Sequence, residues 1–123
     1  MVIDSNNTKF DQLHIDITDG HFAENISMSF KVIEMLKNNT DYYLDVHLMI
    51  VNPEKYIVKF AELGSDILTI HYEVSRDTLS ESLKSIKKNG MKAGVAINPD
   101  TNINLLEKYI REIDLVCVMG VFP

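Results

Sequence analysis

The stretch "LHIDITDGHF" (residues 13–22) combines a short β-branched apolar run with polar side chains at alternate positions. Side chains two residues apart in a β-strand point to the same face, so His14 and Asp16 would share one face of a strand. Polar turn residues follow at positions 19–21 and are expected to end it. The stretch therefore predicts a largely buried strand that carries two polar side chains on one side.

The later run "YLDVHLMI" (residues 43–50) has the same pattern, with Asp45 and His47 two residues apart. Two such strands side by side would bring His14, Asp16 and His47 together near the strand carboxyl ends, where parallel barrels hold their chemistry. Two imidazoles and a carboxylate suit a divalent cation such as zinc, iron, manganese or cobalt. Spacing alone leaves an alternative open, in which each histidine is a hydrogen-bonded core residue.

The composition indicates one globular domain over residues 1–123, with a formal charge of −6 from 12 basic and 18 acidic residues. This acidic balance argues against nucleic acid or an anionic membrane as the main partner. The polar N-terminus has no signal-peptide pattern, and no apolar run reaches the ~20 residues of a membrane span. We therefore expect a cytoplasmic protein. The single cysteine, Cys117, excludes an intrachain disulfide and is predicted to be a buried thiol.

Short apolar runs alternate with longer segments of helical period along the whole chain. The predicted strands are residues 13–17, 43–50, 66–71, 92–97 and 115–119. Nearly continuous apolar strands with short connections indicate a parallel α/β sheet. A doubly wound sheet and a segment of a (β/α) barrel both fit this order. No glycine-rich phosphate-binding sequence follows the first strand, so a dinucleotide-binding fold is not supported.

Four helices are predicted between the strands. The first has a helical apolar period that includes Phe30, Ile33, Met35 and Leu36, and the second starts at Pro53. The third places Leu79, Leu83 and Ile86 on one face, and the fourth places Ile103, Leu106 and Ile110 on one face. Asn52 is the predicted cap of the second helix, while Gly64 and Gly90 are predicted stops of the second and third.

Further candidate site residues occupy other predicted strand ends. His71 ends the third strand, where it could line a pocket or cap the following loop together with Glu73. Met49 and Met119 also lie at strand ends. They either pack at the mouth of a barrel or form a soft apolar cover over a substrate.

Five segments carry a resemblance to a known family: "HIDITDGHF", "LDVHLMIVNPEKYI", "SDILTIHYE", "MKAGVAINPDT" and "DLVCVMGVFP". In order and spacing they resemble the ribulose-phosphate 3-epimerase family over residues 13–123. The resemblance implies a TIM barrel of eight βα units, of which this chain would supply about five. The related D-allulose-6-phosphate 3-epimerase shares these motifs and is an open alternative.

The resemblance also implies a reaction, the inversion of C3 of a ketose phosphate through an enediolate. D-Ribulose 5-phosphate and D-xylulose 5-phosphate would be the interconverted sugars. By motif position, the resemblance makes His14, Asp16 and His47 ligands of a divalent metal cation, and Asp16 also an acid/base group. It places Met49 and Met119 against the enediolate.

The sequence departs from the family pattern in three places. Thr18 replaces a methionine, so one wall of the pocket is expected to be polar. A polar segment, residues 1–12, stands where the family has its first strand, and the family's second acid and phosphate-binding loops are missing. We therefore expect weak or no activity from this chain alone.

Three interpretations of the short chain are open. It could be a fragment of a longer epimerase, or a naturally short protein that forms a homo-oligomer to cover its open sheet edges. It could instead be a non-catalytic half-barrel that binds a metal or a partner.

Overall fold

A parallel β-sheet forms the centre of the protein, in a computed structural model that describes residues 11–27 and 29–123. Within these residues the strands are β1 (Gln12–Thr18), β2 (Tyr43–Met49), β3 (Ile67–His71), β4 (Lys92–Ile97) and β5 (Leu115–Val118). The α-helices are α1 (Phe30–Asn39), α2 (Ile57–Glu62), α3 (Tyr72–Ser75) and α4 (Leu79–Lys88), and 3₁₀ segments cover Pro53–Tyr56 and Ile103–Tyr109. Most of the polar segment of residues 1–12 lies outside the described residues.

The strand order decides between the two predicted architectures. All neighbouring strands are parallel, and their order in space, β1-β2-β3-β4-β5, follows the chain. A doubly wound sheet reverses its order at a switch point, whereas a barrel adds each strand beside the last. The protein is therefore a partial (β/α) barrel. All five predicted strands are confirmed to within one residue at each end.

The two faces of the sheet differ in chemistry. One face contributes apolar side chains to the main core, including Leu44, Val46, Leu48, Leu68, Ile70, Val95 and Ile97. Side chains from the helical segments complete that core, among them Ile33, Phe60, Leu83, Ile86 and Leu106. The opposite face, called the inner face below, carries polar side chains at the alternate positions Asp45, His47, Thr69 and His71. Packing against helices thus drives folding on one face and leaves the other for chemistry.

Two aspartates tie neighbouring strands together at the end opposite the candidate site. Asp66, just before β3, accepts a 2.8 Å hydrogen bond from the backbone N–H of Leu44 in β2. Asp114, just before β5, accepts one of 2.8 Å from the N–H of Ala93 in β4. This backbone hydrogen bond lowers the pKa of Asp114. The repeated contact holds the register of alternate strand pairs.

The predicted helix boundaries are only partly correct. Gly64 and Gly90 have φ angles of +91° and +86°, which explains why a glycine ends each helix. Asn52 occupies the predicted N-cap position before Pro53, with a left-handed φ of 50°, but its side chain makes no capping hydrogen bond. The segment after it begins as a 3₁₀ turn before α2 starts at Ile57.

The predicted face of the last helical segment is also wrong. Leu106 is buried, but Ile103 and Ile110 are exposed. The segment is a 3₁₀ helix, whose period of three residues places Tyr109 rather than Ile110 above Leu106. Met35, predicted to lie on the core face of α1, is exposed as well.

The environment of Cys117 differs from its prediction, because the thiol is only partly buried. Its strand, β5, has a neighbour on one side only within the described residues, and it therefore buries its side chains less than β2 or β3 does. In the same part of the chain, none of the helices has the length and apolar character that a membrane crossing requires.

We predict that Gly94→Ala lowers the free energy of unfolding by about 1–3 kcal/mol, a typical cost of overpacking. A Cβ at Gly94 would lie 2.2 Å from Oγ1 and 3.1 Å from Cα of Thr69 on β3. Gly120→Ala is the matched control, since its Cβ would meet no atom within 4 Å, and we expect a change within about 0.5 kcal/mol. Urea unfolding measures both, and equal effects would contradict the prediction.

Candidate functional site

The three predicted site residues of β1 and β2 come together on the inner face. His14 and Asp16 are the third and fifth residues of β1, and His47 is the fifth of β2. Asp16 lies in register with His47 because the two strands pair in parallel without offset. The cluster is deeper than expected, since a further layer with Thr18 and Met49 separates it from the carboxyl ends.

The distances between donor atoms suit a single cation. Asp16 Oδ1 lies 3.1 Å from His14 Nε2 and 3.2 Å from His47 Nδ1. One donor atom from each of the three residues lies within 4.8 Å of the others. Two donors on one tetrahedral zinc ion lie about 3.3 Å apart. The chemistry and separation of these donors therefore fit a divalent cation.

Asp45 orients the first histidine. Asp45 Oδ2 lies 2.8 Å from His14 Nδ1 and accepts a second, 3.1 Å hydrogen bond from Gln12 Nε2. Donation from His14 Nδ1–H leaves Nε2 directed toward Asp16. Burial opposes a charge on His14, but the hydrogen bond and the negative charge of Asp45, with those of Asp16, outweigh it and raise its pKa. The site thus attracts positive charge at His14.

Solvent reaches the cluster from one side. The side chain of Asp16 is 57% exposed, whereas that of His47 is 3% exposed. The carboxylate of Asp16 thus lies at the open side of the cluster, and the imidazole of His47 lies at its closed side. The side chain of His14 is 48% exposed, so both residues of β1 are open to an incoming solute.

His71, the last residue of β3, contacts His47 from the neighbouring strand, two residues closer to the carboxyl ends than the register partner Thr69. His71 is completely buried, with its Nε2 2.9 Å from His47 Nε2 and its Nδ1 3.1 Å from Glu73 Oε2. The ring of Phe22 packs edge-on against it at 4.7 Å. His71 thus contacts Glu73, which agrees with the predicted pairing of these two residues. Its other predicted role, lining a substrate pocket, stays a prediction.

Burial sets the charge of this histidine pair. It lowers the pKa of His47 to about 4, with the neighbouring His71 as the next cause. Burial also lowers the pKa of His71, although the hydrogen bond and charge of Glu73 oppose the shift. Both imidazoles are therefore neutral near pH 7.

Thr18 is bound to the loop that follows β1. Its hydroxyl donates a 2.9 Å hydrogen bond to Ser27 Oγ, which in turn donates to the backbone carbonyl of Asp16 at 3.1 Å. The polar group expected at this wall is thus engaged by Ser27. This contact fixes the start of the βα loop above the cluster.

The two methionines occupy different parts of the sheet. Met49 is buried at the end of β2, in register with Thr18. Met119 is half-buried just after β5, and β3 and β4 lie between that strand and β2. Strand order thus places Met49 beside the cluster and Met119 across the sheet, and their roles toward a substrate stay predictions.

Two contacts behind the histidines were not predicted from the sequence. Asp45 was recognised only as sharing a face with His47, yet it binds His14 across the strand pair. Glu73 binds the loop after β4 as well as His71, through Asn98 and Thr101. The parallel register predicts the first contact, but no sequence signal predicts the second, which joins two separate loops.

Comparison with known proteins identifies similar sequences. Residues 2–123 match the sequence model of the ribulose-phosphate 3-epimerase family. The ribulose-phosphate 3-epimerase of Bacillus subtilis (strain 168) is 43% identical over 113 residues, which is 92% of this chain and 52% of the relative. The protein of the same name from Chlamydia pneumoniae is 42% identical over 113 residues, or 92% of this chain and 49% of that protein.

A plant relative extends the comparison. The cytoplasmic isoform of ribulose-phosphate 3-epimerase from Oryza sativa subsp. japonica is 41% identical over 116 residues, with 92% of this chain and 51% of the relative covered. The chain thus spans about half the length of the curated relatives it matches.

We predict that the free energy of unfolding of the metal-free protein decreases as the pH falls from 6.5 toward about 4. In this range the unfolded chain protonates both histidines, while burial keeps His47 neutral in the folded state toward about pH 4, and the lowered pKa of His71 adds to the effect. The unfolded state then binds more protons, so stability falls by up to about 1.4 kcal/mol per pH unit for each histidine. Urea unfolding at a series of pH values measures the slope.

The variant His47→Gln tests the assignment of that slope to His47 and should make the slope shallower. His14 acts in another range, because its raised pKa gives stability that is present below 6.5 and lost as the pH rises through its folded pKa. An unchanged slope in the variant would show that His47 is not the responsible group.

Proposed function

The chain belongs to the ribulose-phosphate 3-epimerase family, and we propose that its site removes and returns the C3 proton of a ketose phosphate. The proposed substrates are D-ribulose 5-phosphate and D-xylulose 5-phosphate. The observation that carries the proposal is the convergence of His14, Asp16 and His47, with one donor atom of each within 4.8 Å of the others.

We propose that these three residues bind the metal cofactor of the reaction. Imidazole and carboxylate donors suit zinc, iron, manganese or cobalt, and the donor set does not discriminate among them. When bound, a divalent cation supplies Lewis-acid stabilisation of the negative charge that develops on the substrate's oxygens. The carboxylates of Asp16 and Asp45 support this assignment, because both contact His14 and their negative charge favours a bound cation.

Asp16 is the proposed acid/base group. It is the most exposed of the three side chains, and its carboxylate lies at the open side of the cluster. A proton α to a carbonyl is weakly acidic, so a positioned carboxylate must accept it as charge develops on the substrate. Met49, buried beside this position, and Met119 are proposed to offer apolar contact to the substrate, and His71 is proposed to line the substrate pocket.

One carboxylate serves one face of a planar enediolate. Inversion at C3 needs a second acid on the opposite face, so Asp16 alone supports a half-reaction. That half-reaction is the exchange of the C3 proton with solvent, without inversion. It is the activity that the geometry of the described residues supports directly.

We also propose which sugar phosphate is the substrate and how the domain is organised. The relatives named above are called ribulose-phosphate 3-epimerases, so we propose a pentulose rather than a hexulose phosphate as substrate. Residues 1–123 are proposed to be one incomplete barrel domain, since strands and helices share one main core. The cytoplasmic location stays a prediction, as does the absence of nucleic acid and membrane partners.

We predict that the zinc-loaded protein exchanges the C3 proton of one of the two sugar phosphates with deuterium in D₂O. Proton NMR follows the loss of the C3 signal, and both epimers are assayed because Asp16 can reach only one face. Asp16→Asn should slow the exchange about 10²- to 10⁴-fold, the usual effect of removing an acid/base group.

Asp41→Asn is the matched control, because Asp41 is an exposed carboxylate before β2 and away from the cluster. We expect its exchange rate to equal that of the unmodified chain. A folded, metal-loaded protein that exchanges neither sugar would overturn the epimerase proposal. Metal uptake without exchange would instead favour the non-catalytic half-barrel.

We also propose that a second copy of the chain covers the open sheet edges. Within the described residues, β1 and β5 each have a neighbour on one side only, and Val118, Val121 and Phe122 at the β5 side are exposed. Unpaired apolar edges favour association.

Light scattering during size-exclusion chromatography should therefore give at least twice the 14.0 kDa mass of one chain. Val118→Lys places a charge on this edge and should shift the protein toward the monomer. A monomer that persists at every concentration would contradict the proposed oligomer.

A further inference from the structure

We propose that Glu73 and His71 are positioning residues that hold His47 in the tautomer whose Nδ1 is free to bind a metal. This inference rests on the proposed function only in naming a metal as the occupant. The tautomer itself follows from a chain of hydrogen bonds that starts in the loop after β4 and ends at Asp16.

The chain of hydrogen bonds begins with the orientation of Glu73. Its Oε1 accepts a 2.8 Å hydrogen bond from the backbone N–H of Asn98 and another from the hydroxyl of Thr101. Burial would raise the pKa of Glu73, but these hydrogen bonds outweigh burial and lower it. A carboxylate with Oε1 engaged in this way presents Oε2 to His71 as an acceptor, at 3.1 Å from Nδ1.

The second step fixes the proton of His71. An ionised carboxylate has no hydrogen to donate, so the hydrogen of this contact belongs to Nδ1 of His71. A neutral imidazole carries one N–H, which leaves a lone pair on Nε2. His71 is completely buried, and its surroundings disfavour the doubly protonated form.

The third step determines which nitrogen of His47 carries the hydrogen. The two Nε2 atoms lie 2.9 Å apart, a distance that requires one hydrogen between them. Since Nε2 of His71 is the acceptor, Nε2–H of His47 is the donor. The two rings are nearly parallel, with an interplanar angle of 13°.

The fourth step reaches the candidate metal site. A neutral His47 with its hydrogen on Nε2 has a lone pair on Nδ1, which lies 3.2 Å from Asp16 Oδ1. Asp16 could also accept a hydrogen from Nδ1, but its side chain is 57% exposed and can bind water, whereas the side chain of Glu73 is only 13% exposed. The contact without a hydrogen is therefore the one at Asp16, where a cation would relieve the repulsion between the two facing acceptor atoms. Glu73 thus acts on the site through His71 and His47. In other metal sites a carboxylate orients a metal-binding histidine by direct contact.

His14 provides an internal comparison. It donates its Nδ1–H directly to Asp45 and directs Nε2 into the site. His47 directs Nδ1 into the site instead, and the group behind it is the histidine of β3 rather than a carboxylate. The carboxylate of Glu73 therefore reaches His47 through His71, which explains why two histidines are buried in contact.

Glu73→Gln should reverse the chain of hydrogen bonds. The carbonyl oxygen of glutamine must stay with the donors Asn98 N–H and Thr101, so its NH₂ group would face His71 Nδ1 and donate to it. His71 would then carry its hydrogen on Nε2, and His47 would carry its own on Nδ1. This hydrogen occupies the metal-binding lone pair, so we expect zinc affinity to fall about 10- to 100-fold.

Long-range ¹H–¹⁵N NMR of the metal-free protein at about pH 8, where the lowered pKa values leave His47 and His71 neutral, reads their tautomers directly. For the unmodified chain we expect Nε2–H on His47 and Nδ1–H on His71, with both reversed in Glu73→Gln. Glu62→Gln, at an exposed position in α2, is the matched control and should change neither the tautomers nor the zinc affinity.

The spectrum of the unmodified chain decides the inference even if Glu73→Gln does not fold. A hydrogen on Nδ1 of His47 would overturn it, whatever the protein binds. The proposed function fails separately: if the tautomers are as expected but no zinc or sugar exchange is detected, the positioning of His47 stands without the epimerase chemistry. Unchanged tautomers in a folded Glu73→Gln would also overturn the inference.

Discussion

The register of β1 against β2 is the constraint on which the site depends. Asp16 lies beside His47, and His14 beside Asp45, because the two strands pair without offset. Side chains alternate between the faces of a strand, so a slip of one residue would move every polar group of β1 into the apolar core. The buried face prevents that slip, since it places Ile17 with Leu44, Val46 and Leu48 against the helices.

The same register places two carboxylates, those of Asp16 and Asp45, beside the two imidazoles, so the cluster carries an excess of negative charge. Asp45 accepts hydrogen bonds from Gln12 and His14 on Oδ2, and its Oδ1 is buried without a protein partner. Asp16 then faces a nitrogen of each of two imidazoles. A proton on His14 supplies part of the missing charge, consistent with its raised pKa. A divalent cation would supply more of it, and membership of the epimerase family agrees with that chemistry.

The sequence predicts the strands and the three converging residues well because both follow from local alternation of side chains. It fails for Ile110 because the segment is a 3₁₀ helix with a period of three rather than the α-helix that the spacing suggested, and Ile103 is exposed as well. It predicts the cap position of Asn52 correctly, although the side-chain hydrogen bond typical of a cap does not form there. The contact of Glu73 with Thr101 spans two loops, and no periodicity in a single sequence encodes such a pair.

The division of labour between the faces separates stability from chemistry. Burial of apolar area against the helices supplies the main driving force for folding. The inner face instead buries polar atoms, each of which costs free energy unless it is hydrogen-bonded. The hydrogen bonds from Glu73 through His71 to His47 offset that cost and orient a donor atom at the same time. Thr69 Oγ1 lies on the same inner face and is buried without a hydrogen-bond partner. Its burial therefore costs free energy and orients no donor atom of the site.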